Sequence, residues 1–310
     1  MNYHNAPEGA SFGLLMIMVS AILWGTVGIF VQTIYTLSEG NSFSIGFLRL
    51  AISLPVLFFA CARTLVGWQM LQIAKRDLAL MLLTGAMTAF YQVCYFTSIS
   101  YIGVAAATLI TLCTAPVWVA LLASLILHER FTLGILLAGL CAVGGTALLV
   151  NVQPGQITVR SQILGVCLAL SSALAYASVT LCSRLLSRRY HPLQSLTVSF
   201  FAGAVFLLPI ALITGLVLQY PFVGWIALLY LGIVTTAFAY VLYFSGIRHT
   251  PATVASIATL LEPLTSTILA WWLLGENLGT SGIIGGVLLL IAIGTLYWDL
   301  RWNQRHSRRN

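Results

Sequence analysis

Charge is what this sequence has least of. Asp, Glu, Lys and Arg make up 7% of its 310 residues, against roughly 25% in soluble globular proteins. A soluble protein of this length needs a charged skin, and 14 basic plus 7 acidic side chains cannot form one. Hydrophobic residues make up 60%, and the mean hydropathy is +0.99. The two soluble domains that such a length ordinarily implies are therefore excluded. Lipid is the main solvent of this chain.

Other scarcities remove further functions. Lys75 is the only lysine. The residues before it, Gln72-Ile73-Ala74, form no glycine-rich phosphate loop, so ATP hydrolysis of that type is excluded. A retinal Schiff base needs a lysine inside a spanning helix, and Lys75 falls in a polar connection. The cysteines (61, 94, 113, 141, 167 and 182) all sit in apolar runs without paired spacing, so they read as small core residues. No H-E-x-x-H occurs, and neither a metal nor a cofactor is expected. Gly9-Ala10-Ser11-Phe12-Gly13 matches the G-x-S-x-G nucleophile pattern, but no strand precedes it, so no catalytic residue is assigned.

What is present is long apolar runs. Crossing a ~30 Å hydrocarbon core takes roughly 20 residues at about 1.5 Å each. Ten such runs are legible: 12–35, 43–62, 78–97, 104–127, 131–150, 162–183, 193–214, 222–245, 252–274 and 279–299. They predict an all-α membrane protein with ten transmembrane helices. The first run has no basic segment before it and is too long for a signal-peptide core, so it is expected to remain as span 1. With a cytoplasmic N-terminus, the inside segments hold twelve basic residues: Arg63, Lys75, Arg76, Arg130, Arg184, Arg188, Arg189, Arg248, Arg301, Arg305, Arg308 and Arg309. The outside loops hold Arg160 alone. This bias predicts that both termini are cytoplasmic.

The chain also repeats itself. Ala89–Ile99 (AFYQVCYFTSI) recurs as Ala237–Ile247 (AFAYVLYFSGI), identical at six of eleven positions with an offset of 148. Pro116 matches Pro263 and Glu129 matches Glu276 at 147, while Ser20–Trp24 is echoed by Ser172–Tyr176. Two five-span halves follow, 1–151 and 152–310, the second ending in a short basic cytoplasmic tail. Five is odd, so the halves lie inverted to one another. That arrangement recurs in secondary transporters, with the cargo site between the halves near the bilayer midplane.

These residues resemble the drug/metabolite transporter superfamily, specifically its EamA-type ten-helix carriers, over nearly the whole chain. The resemblance is carried by Trp24-Gly25, Arg49, the run Ala115–Leu122 ending at His128-Glu129-Arg130, and Leu261-Glu262-Pro263 ending at Leu274-Gly275-Glu276. Two positions depart from the pattern. His128 replaces the glycine usual before that glutamate, and Tyr176-Ala177 stands where the first half has Trp24-Gly25. The resemblance implies a secondary active transporter of the inner or plasma membrane that exports small metabolites such as amino acids or drug-like amphipathic solutes by alternating access. A channel-like facilitator and an intramembrane enzyme are the alternatives.

Two charges lie well inside the spans, Arg49 and Glu262. Each costs roughly 2.5–3.5 kcal/mol at a helix centre, so each should face protein or water. Glu262 is about 15 Å deep in span 9. Pro263 after it lacks an N–H and should disturb the turn Ala258–Glu262. Apolar surroundings favour a protonated carboxyl, which suits proton coupling. The alternative is a structural acid satisfied by a neighbouring hydroxyl or arginine. Arg49, roughly 9 Å in, has three roles open to it: binding a substrate carboxylate, pairing with Glu262 in one state, or snorkelling outward toward Glu39.

A polar stripe in span 3, Thr88, Gln92 and Tyr95, falls on one helix face and recurs in span 8 as Thr236, Tyr240 and Tyr243. Thr259, Glu262 and Ser266 form another in span 9. These stripes, with Tyr91 at the edge of the first, are expected to line the shared cavity or to hydrogen-bond between helices. Trp24 sits too deep for the interfacial belt. With Tyr176 and the tyrosines it is expected to wall an aromatic pocket, whereas Trp118 reads as core. Glycines in spans 5 and 10, including Gly282-x-x-x-Gly286, permit close packing within a monomer or between two copies. The basic tail is expected to meet anionic lipid, and no nucleic-acid partner is expected.

Overall fold

The computed structural model describes residues 6–64, 73–127, 159–187, 189–250, 252–259 and 261–274, with isolated positions between 280 and 291. Among these residues the chain is helical and has no strand. The helices are α1 (Ala6–Gly25), α2 (Val27–Leu37), α3 (Ser42–Thr64), α4 (Lys75–Ile102), α5 (Val104–Leu127), α6 (Val159–Ser187), α7 (Pro192–Ile213), α8 (Phe222–Gly232), α9 (Ala239–Ile247), α10 (Ala252–Ala258) and α11 (Leu261–Leu274). A π-helical segment, Ile233–Phe238, joins α8 to α9.

Seven stretches of the described residues are long and apolar enough to cross a bilayer: Phe12–Leu37, Ser42–Thr64, Lys75–Ile102, Ala106–Ile126, Arg160–Ser187, Pro192–Ile213 and Phe222–Ile247. The protein is an integral multi-pass membrane protein. These stretches coincide with spans 1–4 and 6–8 of the sequence reading. Span 5 and nearly all of span 10 lie outside the described residues, as do His128, Glu129, Arg130, Gly275, Glu276 and the basic tail.

Three spans are interrupted. Span 1 breaks at Thr26, whose hydroxyl donates to the Leu23 carbonyl at 2.7 Å. Span 8 widens into the π segment. Span 9 divides between Ala258 and Leu261, within the turn that Pro263 was expected to disturb, and the Glu262 amide donates to the Thr259 carbonyl at 2.9 Å. Such interruptions survive in a bilayer only where other groups satisfy the freed backbone, as the threonines here do. Between α4 and α5 a single residue, Gly103, turns the chain at φ +80°, a left-handed conformation that glycine adopts without penalty.

Helices from the earlier and later parts of the chain interleave. α4 packs along α6 and α7, and α3 along α7. Gly85 and Gly203 let α4 and α7 meet backbone to backbone: a Cβ at Gly85 would lie 2.1 Å from the Ser199 carbonyl oxygen. Ser20 donates to the Ala239 carbonyl at 2.9 Å, and Ser172 donates to the Tyr91 carbonyl at 3.0 Å. The serines occupy the echoed positions, and the two carbonyls are 148 apart. Exposed Phe58, Phe59, Phe90, Phe201 and Phe206 face outward, where lipid is the solvent.

Residues assigned by sequence to the same side gather at the same end. At the end assigned inward, Arg189 pairs with Asp77 at 2.9 Å and Tyr190 donates to Asp77 at 3.0 Å. There too, Arg184 donates to the Ile247 and Arg248 carbonyls at the close of α9, where the helix dipole favours a cation. At the opposite end Asn41 donates to the Gly215 carbonyl at 2.9 Å, and the Val217 amide donates to Ser44 at 3.0 Å.

Candidate functional site

The π segment positions Arg49. Thr235 and Thr236 both donate their hydroxyls to the Leu231 carbonyl, at 2.9 and 2.6 Å. Each hydroxyl has one proton, so those bonds leave only lone pairs facing away from the helix. Arg49 takes both: Nε donates to Thr236 at 3.2 Å and Nη2 to Thr235 at 3.3 Å. The guanidinium also lies over the Phe96 ring, 5.3 Å from its centroid. With 3% of its surface exposed, Arg49 does not snorkel toward Glu39. The polar grip of two threonines on the neighbouring helix outcompetes a reach of roughly 9 Å to the interface.

Glu262 enters from span 9. Gly25 of α1 brings it there, because a Cβ at that position would lie 2.8 Å from the Glu262 carbonyl oxygen and 2.5 Å from Thr265 Cβ. Among the described residues the Glu262 carboxyl makes neither an ion pair nor a hydrogen bond. Trp24, beside Gly25, is 5% exposed. Its indole N–H donates to the Thr235 carbonyl at 2.9 Å, and its ring packs on Tyr240 and Tyr243 at 4.8 and 5.2 Å. The π segment thus holds Arg49 through side chains and Trp24 through backbone.

The tyrosines complete the wall. The Tyr91 and Tyr240 hydroxyls share a hydrogen bond, and Tyr91 meets Tyr176 edge-on at 5.7 Å. Tyr95 and Thr108 share a hydrogen bond of 2.6 Å, and Tyr243 donates to Thr180 at 3.3 Å. Trp24, Arg49, Tyr91, Tyr95, Tyr176 and Glu262 all line one chamber, together with Val27, Thr111 and Leu112. About 20 Å³ within it is open to water centres, room for roughly one water. Little free space remains around Arg49 and Glu262.

The remaining expected residues stand behind this wall. Thr236 anchors Arg49, and Tyr240 and Tyr243 back Trp24. Thr259 turns its hydroxyl to the Ser256 carbonyl at 2.8 Å. Gln92 is fully buried, its amide has no hydrogen-bond partner, and it does not line the chamber; its neighbour Tyr91 does. Thr235, Thr111 and Leu112 went unnoticed in the sequence. Thr235 was legible as half of an adjacent threonine pair, but a 3.6-residue period puts only one of the two on the polar face.

The EamA-like transporter family matches this chain twice, over residues 11–151 and 163–298. The uncharacterized transporter YwfM of Bacillus subtilis is 27% identical over 288 residues, covering 90% of this chain and 91% of its own length. An uncharacterized transporter of Archaeoglobus fulgidus is 29% identical, covering 91% and 95%. The uncharacterized inner membrane transporter YicL of Salmonella typhimurium is 28% identical, covering 94% and 97%. A crystal structure at 17% identity superposes with a TM-score of 0.74 over 93% of this chain and 98% of its own, so the fold is shared. With interleaved apolar helices around a buried chamber, and a family match over nearly its whole length, the chain is a membrane transporter belonging to the EamA-like transporter family.

Proposed function

We propose that this transporter is a secondary carrier of the inner or plasma membrane that exports small amphipathic or amino-acid-like solutes by alternating access. The observation that carries the reading is the narrow chamber that Arg49 and Glu262 line together with Trp24, Tyr91, Tyr95 and Tyr176. Arg49 uses two N–H groups on the threonines, and its planar fork suits a cargo carboxylate. Trp24, Tyr91, Tyr95 and Tyr176 offer flat apolar faces with polar edges. Glu262, without a fixed partner, is free to exchange a proton with one compartment and then the other.

The ten-span count, the halves 1–151 and 152–310 and the cytoplasmic termini belong to the same proposal. The twin serine-to-carbonyl bonds, the gathering of basic residues at one end and the duplicated family match all support them. A chamber with room for about one water favours a carrier over an open channel.

Purified protein in liposomes tests this. Saturable uptake of candidate solutes driven by an imposed pH gradient is expected, and Glu262→Gln should keep normal expression while losing the response to that gradient. Flux that never saturates would point to a channel, and chemical conversion of the solute to an enzyme. Either result sinks the proposal.

A further inference from the structure

A second and larger cavity, about 530 Å³, opens at the end assigned outward. Gln32, Tyr35, Asn41, Ser42, Ser100 and Tyr101 are among its lining residues, and none of that lining carries a charge. It shares no lining residue with the central chamber, yet the two nearly meet. Val27 of the central chamber and Gln32 of the outer cavity are five positions apart on α2, about 7.5 Å along its axis.

Gly28 and Val104 stand between them. A Cβ at Gly28 would lie 2.4 Å from Val104 Cγ1, 3.6 Å from the Tyr95 hydroxyl and 3.7 Å from the Ser266 hydroxyl. Glycine is thus what allows the valine to close the gap. Val104 lines the outer cavity and Tyr95 the central chamber, so the wall is about one side chain thick. Ser266, 2% exposed, has no hydrogen-bond partner although it is buried beside this contact. A buried hydroxyl left unpaired is unfavourable, and a polar solute passing that point would relieve it.

Both sides of the contact are attached at breaks in the helices. Val104 opens α5 directly after Gly103, whose left-handed backbone has open space around it. Gly28 lies two residues after the break at Thr26. The Val104 side can pivot at Gly103, which lies outside any helix.

We infer that the outer cavity is an antechamber for uncharged, hydroxyl- or amide-bearing parts of the cargo, and that the Gly28–Val104 contact is the door between it and the central chamber. This rests on the carrier reading above. The door sets a size limit, while the antechamber's neutral lining accepts cargo by hydrogen bonding instead of charge.

The test uses full-length protein with its native cysteines replaced and Leu112→Cys as a reporter in the central chamber. Its labelling by a membrane-impermeant methanethiosulfonate is timed in intact cells and in inside-out vesicles. Val104→Ala should speed labelling at least tenfold from one side only, Val104→Phe should slow it by a similar factor, and Val104→Thr, nearly the same size, should match the parent. Rates within twofold for both the alanine and phenylalanine variants, in protein that elutes as a single folded species, overturn the door. Liposome flux separates the two claims. Labelling that follows residue 104 without any solute flux leaves the door standing and removes the carrier. Saturable flux with labelling indifferent to residue 104 does the reverse.

Discussion

Arg49 and Glu262 line one chamber without forming an ion pair; among the described residues the only salt bridge is Arg189–Asp77, at the inward-assigned end. Two ionisable groups of opposite kind that share a small space without pairing remain available to a third party. Arg49 is instead held by Thr235 and Thr236. A lysine would keep the charge but lacks the planar fork that meets each hydroxyl through a separate nitrogen. Arg49→Lys is therefore expected to cut flux tenfold or more while expression stays normal, the loss of roughly one charge-assisted hydrogen bond, ~1.5–3 kcal/mol. Liposome uptake at several solute concentrations checks it, and unchanged uptake would show that the fork is not used.

The threonine pair gives a graded companion to that result. Thr235→Val and Thr236→Val each remove one hydroxyl from the guanidinium while keeping the volume. Hydrogen bonds of this kind within membranes average only ~0.6 kcal/mol. Each single variant should therefore lower flux about threefold, and the double variant should approach Arg49→Lys.

Much of this was legible in the sequence, for physical reasons. Spans 1–4 and 6–8 stand out because lipid demands continuous apolar stretches, and deviations appear only where threonines or glycine satisfy the interruption. Trp24, Arg49, Tyr91, Tyr95, Tyr176 and Glu262 were readable as chamber residues because polar or bulky groups at midspan have few other uses. The π segment was not. Its effect, turning adjacent Thr235 and Thr236 onto a single arginine, depends on a backbone departure that no 3.6-residue period anticipates. Gln92 lies off the chamber lining for a related reason: helix phase put it on the stripe, but Tyr91 is the side chain that reaches the chamber.

Helix spacing predicts a sharp ordering of two glycine variants. At Gly85 an added Cβ meets the Ser199 carbonyl oxygen at 2.1 Å and the Gly203 nitrogen at 2.8 Å, both backbone atoms that cannot rotate away. Gly85→Ala should cost more than about 3 kcal/mol and sharply reduce folded protein. Gly103→Ala has open space and suffers only its positive-φ backbone, about 1–3 kcal/mol. Yield of monodisperse protein should therefore rank parent, Gly103→Ala, Gly85→Ala, and a reversed order would refute the α4–α7 contact.

The Asp77–Arg189 pair should matter modestly. Asp77 is 6% exposed at its side chain but Arg189 is 61% exposed, so water screens much of the attraction. Asp77→Asn is expected to lose about 1 kcal/mol or less. Its thermal unfolding in detergent should show less sensitivity to salt than the parent.

His191 confers a pH response at the same end. Its Nδ1 accepts from the Leu193 amide at the start of α7, and burial, aided by the cationic Arg248, holds its pKa below the ordinary value. The unfolded chain takes up this proton below about pH 6.5 while the folded chain resists it. The contribution to stability is therefore complete above that pH and declines as the pH falls from it toward the lower folded value. His191→Asn keeps an acceptor that does not titrate, so its melting temperature between pH 5 and 8 should vary less than the parent's.

The interleaving of α3 and α4 with α6 and α7 bears on how the molecule is made. When α1 to α5 have left the ribosome, the surfaces they will finally bury are still covered by lipid, since the segments that replace it have not been synthesised. Assembly must wait for α7. Split between α5 and α6, the two pieces should insert separately yet survive proteolysis only when made together in one cell.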